Sequence, residues 1–330
     1  MKKWLVFQTV ALLSLALTAC GTEGGADTLA NEEKTSTEEL GEQNLIDTNQ
    51  PGISTISYLG VDYTIPTPAT SIIAASLEAM EDSAALGIKP TGVLEIADEI
   101  PTYLAEELAG AELIGDKKAP NAEAILSLDP DVIVGTSKWG EDTMSTMNKI
   151  QTTLPYSHIS TNWKDNLTAL AQIAGKEDVA EKIISDYEKK VEVAKVSVTE
   201  QLADKTVLVI RVRGGLMYIY PTGVYLNPIL YEDLGVPIPD IISKAEAQAE
   251  ITMETLASVN PDVIFLQFEG SENADAPNAL VELQNNPIFA SLTAVQNEQV
   301  FVNTIDPLAQ GGTAWSKMKF LDAVVENLLQ

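Results

Sequence analysis

Cysteine, histidine and basic residues are all scarce in this chain. Its 330 residues include one cysteine, Cys20, and one histidine, His158. A lone cysteine forms no internal disulfide, and a lone histidine cannot build the histidine-rich sites that bind zinc or manganese. Only 20 Lys and Arg face 48 Asp and Glu, so the net charge is −28. Such acidity argues against nucleic acid and anionic membrane surfaces as partners.

The motifs of common enzyme classes are missing as well. The chain has no Gly-x-Ser-x-Gly, Walker A or dinucleotide-binding glycine motif. His158 lies in PYSHIS (155–160), a segment that we predict to be a strand, and a hydrogen-bonded structural role is expected for it. We therefore predict a protein that is not an enzyme and that needs no cofactor. A hydrolase is the disfavoured alternative.

The first 19 residues have the pattern of a processing signal. Two lysines precede an apolar stretch at 4–16, which is shorter than the roughly 20 residues of a membrane span. The LTAC sequence at 17–20 resembles a bacterial lipobox. This resemblance implies cleavage before Cys20, lipid attached to that residue, and a lipoprotein anchored outside the cytoplasm on the cell membrane. An ordinary signal peptide is the alternative.

Residues 20–54 are rich in Gly, Thr, Glu and Asn and poor in aromatics. Such a segment buries too little apolar surface to fold, so we predict a disordered tether. The remaining length suits two domains of ordinary size.

Two segments of the chain follow the same plan. Residues 123–135 are EAILSLDPDVIVG and residues 254–266 are ETLASVNPDVIFL. In each, a glutamate and a short helical pattern lead to Pro-Asp and an apolar run. Because proline cannot continue a helix, both segments predict a helix, a stop and a buried strand. The repeat predicts two similar α/β lobes with a ligand cleft between them.

The middle of the chain predicts a rigid connection. One amphipathic helix is expected from Trp163 to Ala174, and a longer one from Lys176 to Leu202, which has no proline or glycine. The longer helix would measure about 40 Å, which is enough to span two lobes and to limit their opening angle. A surface helix of one domain is the alternative. The predicted boundaries are 55–162 for the first lobe, 163–202 for the connecting helices and 203–330 for the second lobe.

Strands that alternate with helical patterns predict parallel pairing in each lobe. The local expectations are a hairpin at 56–66, helices at 101–110 and 143–154, a strand at 155–160, a strand pair at 206–215 and 216–221, a last strand at 299–305, and a closing helix at 315–329.

Several long segments resemble a known family. They are GTSKWGE, LPYSHISTNWKDNLTALAQIAGKE, VIRVRGGLMYIYP, LYEDLGVPIPD and VNTIDPLAQGGTAWSK. Together they resemble substrate-binding lipoproteins of ABC importers for iron-siderophores, haem and cobalamin. Within that class they are similar to Gram-positive lipoproteins that bind ferric bacillibactin and other triscatecholates. The resemblance implies the class III periplasmic-binding-protein fold, with two Rossmann-like α/β lobes joined by one long backbone helix.

The same resemblance implies a function and partners. A monomeric protein would capture a ferric triscatecholate siderophore of the bacillibactin or enterobactin type and deliver it to an ABC permease. Iron would be held through the siderophore alone, so no metal ligands are expected in the protein. The alternatives are a ferric-hydroxamate or haem carrier of the same importer class, and an adhesin or sensor of the same fold.

The family's site has three basic groups, which fall on Lys117, Lys138 and Arg213. Iron(III) with three catecholates carries three negative charges, and each charge-assisted hydrogen bond contributes about 1.5–3 kcal/mol. A solvated surface pair is the alternative for Lys117 and its neighbour Lys118. Arg211 shares a strand face with Arg213; one of the two could serve only to pair with a carboxylate, and Arg213 is favoured as the ligand group.

Other residues are candidates for the rest of the site. Trp139, Tyr218 and Tyr220 could pack against catechol rings, although ordinary core packing is equally expected for each, and Gln248 is retained from the related proteins. Two positions depart from a close relative. Glu246 replaces a lysine and would either weaken binding of a trianion or admit a different ligand, and Gly214 replaces a glutamine.

Two further groups complete the expectations. The resemblance implies that Glu123 and Glu254, one per lobe, lie on the outer surface and pair with permease arginines; ordinary exposed glutamates are the alternative.

Direct binding of ferric ion is conceivable because four tyrosines lie close in sequence. They are Tyr218, Tyr220, Tyr225 and Tyr231. Neighbours in a strand point to opposite faces, however, and partner carboxylates are not evident.

Overall fold

The computed structural model describes residues 52–117 and 119–329. The predicted signal peptide, Cys20 and nearly all of the predicted tether lie outside the described residues. The first strand begins at Gly52, inside the segment that was expected to be tether, so the folded part starts three residues before the predicted boundary.

The first lobe is built on a six-stranded sheet. A separate hairpin precedes it and consists of β1 (Gly52–Tyr58) and β2 (Val61–Thr67). The strands of the sheet are β3 (Ile72–Ala74), β4 (Gly92–Glu95), β5 (Glu112–Asp116), β6 (Ala119–Pro120), β7 (Val132–Val134) and β8 (Thr153–Leu154). The sheet order is β6-β5-β4-β3-β7-β8, and every pair is parallel except β5 with β6. The helices are α1 (Leu77–Leu86), α2 (Ala122–Ser127) and α3 (Glu141–Ile150). The predicted hairpin and the parallel pairing are confirmed.

Two helices connect the lobes, as the sequence predicts. They are α4 (Trp163–Ala174) and α5 (Glu177–Gln201). Helix α4 ends at Gly175, which has φ +64°, a left-handed conformation that glycine adopts without strain. Helix α5 buries four side chains at helical spacing along one face and packs this face against its neighbours. They are Ala180, Tyr187, Ala194 and Val198.

The second lobe has a mixed five-stranded sheet. Its strands are β9 (Val207–Arg213), β10 (Leu216–Ile219), β11 (Ala249–Ile251), β12 (Val263–Phe268) and β13 (Val300–Val302), in the order β11-β10-β9-β12-β13. The helices are α6 (Asp240–Ser243), α7 (Met253–Val259), α8 (Ala279–Asn285), α9 (Pro287–Ala290), α10 (Thr293–Gln296) and α11 (Ala314–Leu328). Strands β9, β12 and β13 are parallel, and β10 turns back beside β9 as predicted.

The two repeated segments have equivalent structures. Each consists of a short helix, α2 or α7, followed by Pro-Asp and a buried strand, β7 or β12. Asp131 accepts hydrogen bonds from the backbone N–H groups of Thr70 and Ser71, just before β3. Asp262 likewise accepts from the backbone N–H of Thr206, just before β9. The Pro-Asp pair therefore ends the helix and fixes the start of the neighbouring strand in both lobes.

The last helix crosses from the second lobe to the first. Helix α11 packs on β12 through Phe320, whose ring lies 5.0 Å from that of Phe265, and it also contacts α1, α4 and α5. Its Lys317 is 1% exposed and donates to Asp233 at 2.6 Å. The lobes thus share α11 as well as the two connecting helices.

No helix among residues 52–117 and 119–329 is both long and apolar enough to cross a membrane.

Three local predictions were wrong. Residues 101–110 form a single 3₁₀ turn, Thr102–Leu104, followed by further turns. This irregular backbone places both Leu104 and Leu108 in the core. Helix α3 ends at Ile150, where the Gln151 side chain bonds to the backbone of Pro130, so the predicted helix 143–154 is too long. The segment 155–160 is not a strand; the strand is β8, two residues earlier. Beyond it, Tyr58 and Asn166 side chains satisfy the backbone of Ser157.

Candidate functional site

A cavity of about 730 Å³ lies between the two lobes, a volume typical of small-molecule sites. First-lobe residues enter it from the segments that follow β3, β5 and β7. Second-lobe residues enter from the end of β9 and from the segments after β10 and β12. The carboxyl ends of parallel strands commonly carry ligand sites in α/β folds. The fold therefore directs one strand edge of each lobe toward the same space.

Four basic side chains line this cavity. Lys117 follows β5 and Lys138 follows β7, while Arg211 and Arg213 end β9. The two arginines are the only arginines of the chain. The structure thus places all four sequence-predicted cations around one cavity, two from each lobe.

Three of the cations converge on a single carboxylate, Glu272. Arg211 donates from Nε and Nη2 to Oε2 at 3.1 and 2.8 Å, and the Arg213 Nε lies 3.2 Å from the same oxygen. Lys117, from the other lobe, donates to Oε1 at 3.2 Å. Burial would raise the pKa of Glu272, but the three neighbouring cations hold this pKa below its usual value. Glu272 is therefore ionised at neutral pH.

The fourth cation is paired separately. Lys138 donates to Glu78 Oε1 at 2.7 Å, and its Nζ lies 3.5 Å from the Gln310 side-chain oxygen of the second lobe. Glu78 occupies the first turn of α1, directly after β3, and its side chain is 5% exposed, whereas that of Lys138 is 50% exposed. Lys138 therefore presents an accessible ammonium group on a buried carboxylate.

Aromatic surfaces flank the cations. The Trp139 ring packs on Gly135, where a Cβ atom would lie 2.2 Å from the indole, so only glycine permits this contact. The Trp139 Nε1 and the Tyr225 hydroxyl are buried without a hydrogen-bond partner, and both residues line the cavity. The Arg211 guanidinium carbon lies 5.2 Å from the centre of the Tyr225 ring, within cation–π range.

Gln248 links two of the predicted residues. Its Oε1 accepts from Arg213 Nη1 at 3.1 Å and from the Tyr220 hydroxyl at 3.2 Å. Tyr218 differs from the other predicted residues: it pairs across the strands with Arg211 and Glu250, and it is not among the described residues that line the cavity. Tyr220 lines the cavity in its place.

The single histidine lies at the cavity edge. His158 Nδ1 is 2.8 Å from the Ser137 hydroxyl. Burial lowers the pKa of His158, and the nearby Lys138 lowers it further, so the imidazole is neutral at neutral pH. Of the four clustered tyrosines, Tyr231 donates to the backbone of Val207, and burial raises the pKa of Tyr225 and Tyr231, which disfavours the ionised form that binds iron. No group of three His, Cys, Asp or Glu side chains suited to a metal was found in the described part of the chain.

The two glutamates of the repeat occupy equivalent exposed positions. Glu123 and Glu254 are the second residues of α2 and α7. Each helix is capped by a side chain, Asn121 in the first lobe and Thr252 in the second. The repeat thus places one exposed carboxylate at the same position of each lobe.

Sequence reasoning missed the carboxylates that hold the cations, Glu78 and Glu272, and it named Tyr225 only as a possible ferric-ion ligand and not as a lining residue of this cavity. One signal pointed to the first two: each follows a parallel strand, β3 or β12, at the edge from which Lys138 and Arg213 also emerge. With Glu246, these two make three acidic side chains on a cavity with four basic ones. The described lining therefore carries a net charge of only +1.

Comparison with known proteins identifies the family. A family model described as "Periplasmic binding protein" matches residues 72–305. The iron-uptake system-binding protein of Bacillus subtilis (strain 168) is 41% identical over 100% of both chains. The crystal structure of the triscatecholate siderophore binding protein FeuA from Bacillus subtilis, complexed with ferri-bacillibactin, has a TM-score of 0.80 and 45% identity over 83% of this chain and 98% of that chain.

A second relative is also named as a siderophore-binding protein. The probable siderophore-binding lipoprotein YfiY of Bacillus subtilis (strain 168) is 31% identical over 66% of this chain and 69% of its own length. The match to the family model covers most of the described residues, including both lobes and the connecting helices. With its two α/β lobes around one cavity, this chain belongs to the periplasmic binding protein family.

Proposed function

We propose that this protein captures a ferric triscatecholate siderophore between its lobes and delivers it to an ABC permease. The observation that carries the proposal is the convergence of Lys117, Lys138, Arg211 and Arg213 on one cavity. The similarity to the iron-uptake system-binding protein and to the FeuA complex with ferri-bacillibactin supports it.

The charge of the ligand explains why the cations must lie at short range. A ferric triscatecholate carries three negative charges, and the protein carries a net charge of −28, so the two repel each other at a distance. Salt screens this repulsion beyond about 8 Å. Within the cavity, each charge-assisted hydrogen bond contributes about 1.5–3 kcal/mol, and three of them supply much of a submicromolar affinity.

Aromatic and polar residues give the cavity a shape for catechol rings. Trp139 and Tyr220 offer ring faces beside Lys138 and Arg213. Gln248 orients Arg213, which directs the guanidinium group into the cavity. Iron is bound through the siderophore alone, and the protein performs binding without catalysis.

The location and partners follow from the same proposal. The lipobox at 17–20 attaches a monomeric protein to the outer face of the cell membrane through Cys20, in the manner of Gram-positive lipoproteins. Glu123 and Glu254 contact basic residues of the permease, one from each lobe. Each exposed ion pair contributes at most about 1 kcal/mol, so the two set docking geometry more than affinity.

A fluorescence titration tests the binding function. The protein from residue 21 onward is titrated with ferric bacillibactin, ferric enterobactin and ferrichrome, and Trp139 reports binding because it adjoins Lys138. We expect saturable submicromolar quenching by both catecholates. The double variant Lys138→Ala with Arg213→Ala should lose about 100-fold or more in affinity, since two charge-assisted hydrogen bonds are removed.

The matched control is Lys182→Ala, which removes an exposed lysine that pairs with Asp186 on α5 and does not line the cavity. This variant should bind as the unchanged protein does. Quenching by ferrichrome alone would contradict the triscatecholate assignment and favour a hydroxamate carrier. Equal losses in the control and in the double variant would show that the cavity cations carry no specific role.

A further inference from the structure

Glu272 contacts cations of both lobes. Its side chain is 8% exposed, and it meets Arg211 and Arg213 of its own lobe and Lys117 of the other. The cavity cations are therefore not free: each of these three has a carboxylate partner within 3.2 Å. An anionic ligand that reaches them has to share or replace this partner.

The three contacts differ in how readily they can be exchanged. Arg211 is 8% exposed and binds Glu272 through two nitrogens, so it is fixed in place. Lys117 and Arg213 are 30% and 38% exposed and make one contact each with the carboxylate. These two side chains can turn toward a ligand while Arg211 continues to hold Glu272.

We propose that Glu272 is a built-in competitor of the siderophore, which exchanges Lys117 and Arg213 with the ligand and thereby speeds ligand release. This inference rests on the proposed function and adds a release residue to it. The carboxylate holds the cations in position and limits their mutual repulsion before binding. During release, it takes the two cations back from the ligand. A carrier must surrender its ligand at the permease, so affinity is moderated by a residue of the site itself.

The variant Glu272→Gln removes the competing charge and keeps the shape. Its cavity lining carries one more positive charge, so a trianionic chelate should bind about tenfold more tightly. Most of this change should appear as slower dissociation, because mutations within one interface act mainly on the off-rate. Stopped-flow dissociation of ferric enterobactin measures it directly. The affinity of the variant should also fall more steeply with added salt.

Two measurements separate competition from mere structural support. Without added ligand, Glu272→Gln should unfold at a lower temperature, since three cations lose their shared partner. Sulfate at millimolar concentration should restore much of that loss by taking the place of the carboxylate. The control Glu282→Gln removes an exposed charge on α8, outside the cavity, and should change neither the off-rate nor the response to sulfate.

The outcomes keep this proposal distinct from the proposed function. If neither protein binds a triscatecholate, the function fails, while the sulfate response still decides whether Glu272 is an exchangeable partner. If both bind but Glu272→Gln releases the ligand faster, Glu272 supports the bound state and the competitor role is overturned. An equal sulfate response in Glu272→Gln and Glu282→Gln would overturn it as well.

Discussion

At the scale of single residues, Glu246 is the acidic residue of the cavity that holds no cation. Glu78 and Glu272 pair with lysine or arginine, whereas Glu246 has no hydrogen bond or ion pair within the described part of the chain. It is exposed and lies two residues from Gln248, which orients Arg213. Glu246 therefore brings an uncompensated negative charge close to any bound anion.

The substitution of Glu246 should strengthen the binding of ferric enterobactin. Removing the charge in Glu246→Gln should raise the affinity about threefold, and reversing it in Glu246→Lys about tenfold, since an exposed charge acts through high dielectric. Isothermal titration at two salt concentrations measures both variants, and higher salt should reduce the gain. If the gain in affinity does not change with salt concentration, the Glu246 side chain acts through its shape and not through its charge.

The family resemblance predicted the cations, and the strand patterns supported it, but neither predicted their carboxylate partners. Lys138 and Arg213 follow apolar strand patterns, and strand ends of this kind carry ligand groups. Lys117 and Glu272, in contrast, are 155 positions apart and meet only because the two lobes face each other. An ion pair across a cleft leaves no pattern in local sequence. The same reason explains why Tyr220 rather than Tyr218 lines the cavity: the choice depends on how β10 lies beside β9.

At the scale of secondary-structure elements, the repeat was the most predictive feature. Pro-Asp ends α2 and α7, and each aspartate bonds to the backbone at the start of the adjacent strand. These interactions are local in each lobe, so similar sequences produce similar structures. The segments 101–110 and 155–160 were predicted wrongly because tertiary contacts decide their backbone. Residues remote in sequence, such as Tyr58, supply the hydrogen bonds of the second one.

The contact between α1 and α11 depends on a buried carboxyl group. Glu81 is 0% exposed and accepts hydrogen bonds from Thr313 and Ser316 at the start of α11, from the Gln310 backbone, and from the Tyr103 hydroxyl. Burial raises the pKa of Glu81 from 4.5 to about 7, although these hydrogen bonds act to lower it. The adjacent Asp82, also fully buried, has a raised pKa for the same reason.

This shift gives a pH dependence of stability with a definite sign. A carboxyl group with a raised pKa binds more protons in the folded state, so the free energy of unfolding falls as pH rises from about 4.5 to 7. Glu81→Gln cannot titrate. Relative to this variant, the unchanged protein should lose on the order of 2 kcal/mol of stability across that range. Chemical denaturation at pH 5, 6, 7 and 8 measures the difference.

The comparison with Glu81→Gln removes the contributions of other carboxyl groups, whose effect on stability has the opposite dependence on pH. Asp131 and Glu272 have lowered pKa values, and their contributions are lost as pH falls, but they are present in both proteins. The exposed Glu200→Gln, which removes a surface carboxylate of α5, serves as the control for the loss of a charge. A flat difference for Glu81→Gln would mean that the buried group stays ionised throughout.

At the scale of the whole molecule, the lobes are joined by more than one helix. Helices α4 and α5 connect them along the chain, and α11 returns from the second lobe to contact α1. Lys317 of α11 is buried beside Trp163 and Tyr187 of the connecting helices, 5.4 and 5.1 Å from their ring centres. This packing favours a small opening angle, as the long helix alone predicts. Glu123 and Glu254 are exposed, one on each of the two joined lobes.

Docking and ligand binding should therefore respond to different substitutions. Glu123→Arg with Glu254→Arg reverses one exposed charge on each lobe, and neither residue lines the cavity. The double variant should bind ferric enterobactin with unchanged affinity and should reduce ligand-stimulated ATP hydrolysis by the reconstituted importer at least tenfold. Each single variant should have a smaller effect, because one lobe can still dock. Glu282→Arg, an equal charge reversal on another exposed helix, controls for net charge and should leave ATP hydrolysis intact. If the double variant stimulates the importer normally, the two glutamates are ordinary surface residues, and the repeat reflects only the common plan of the lobes.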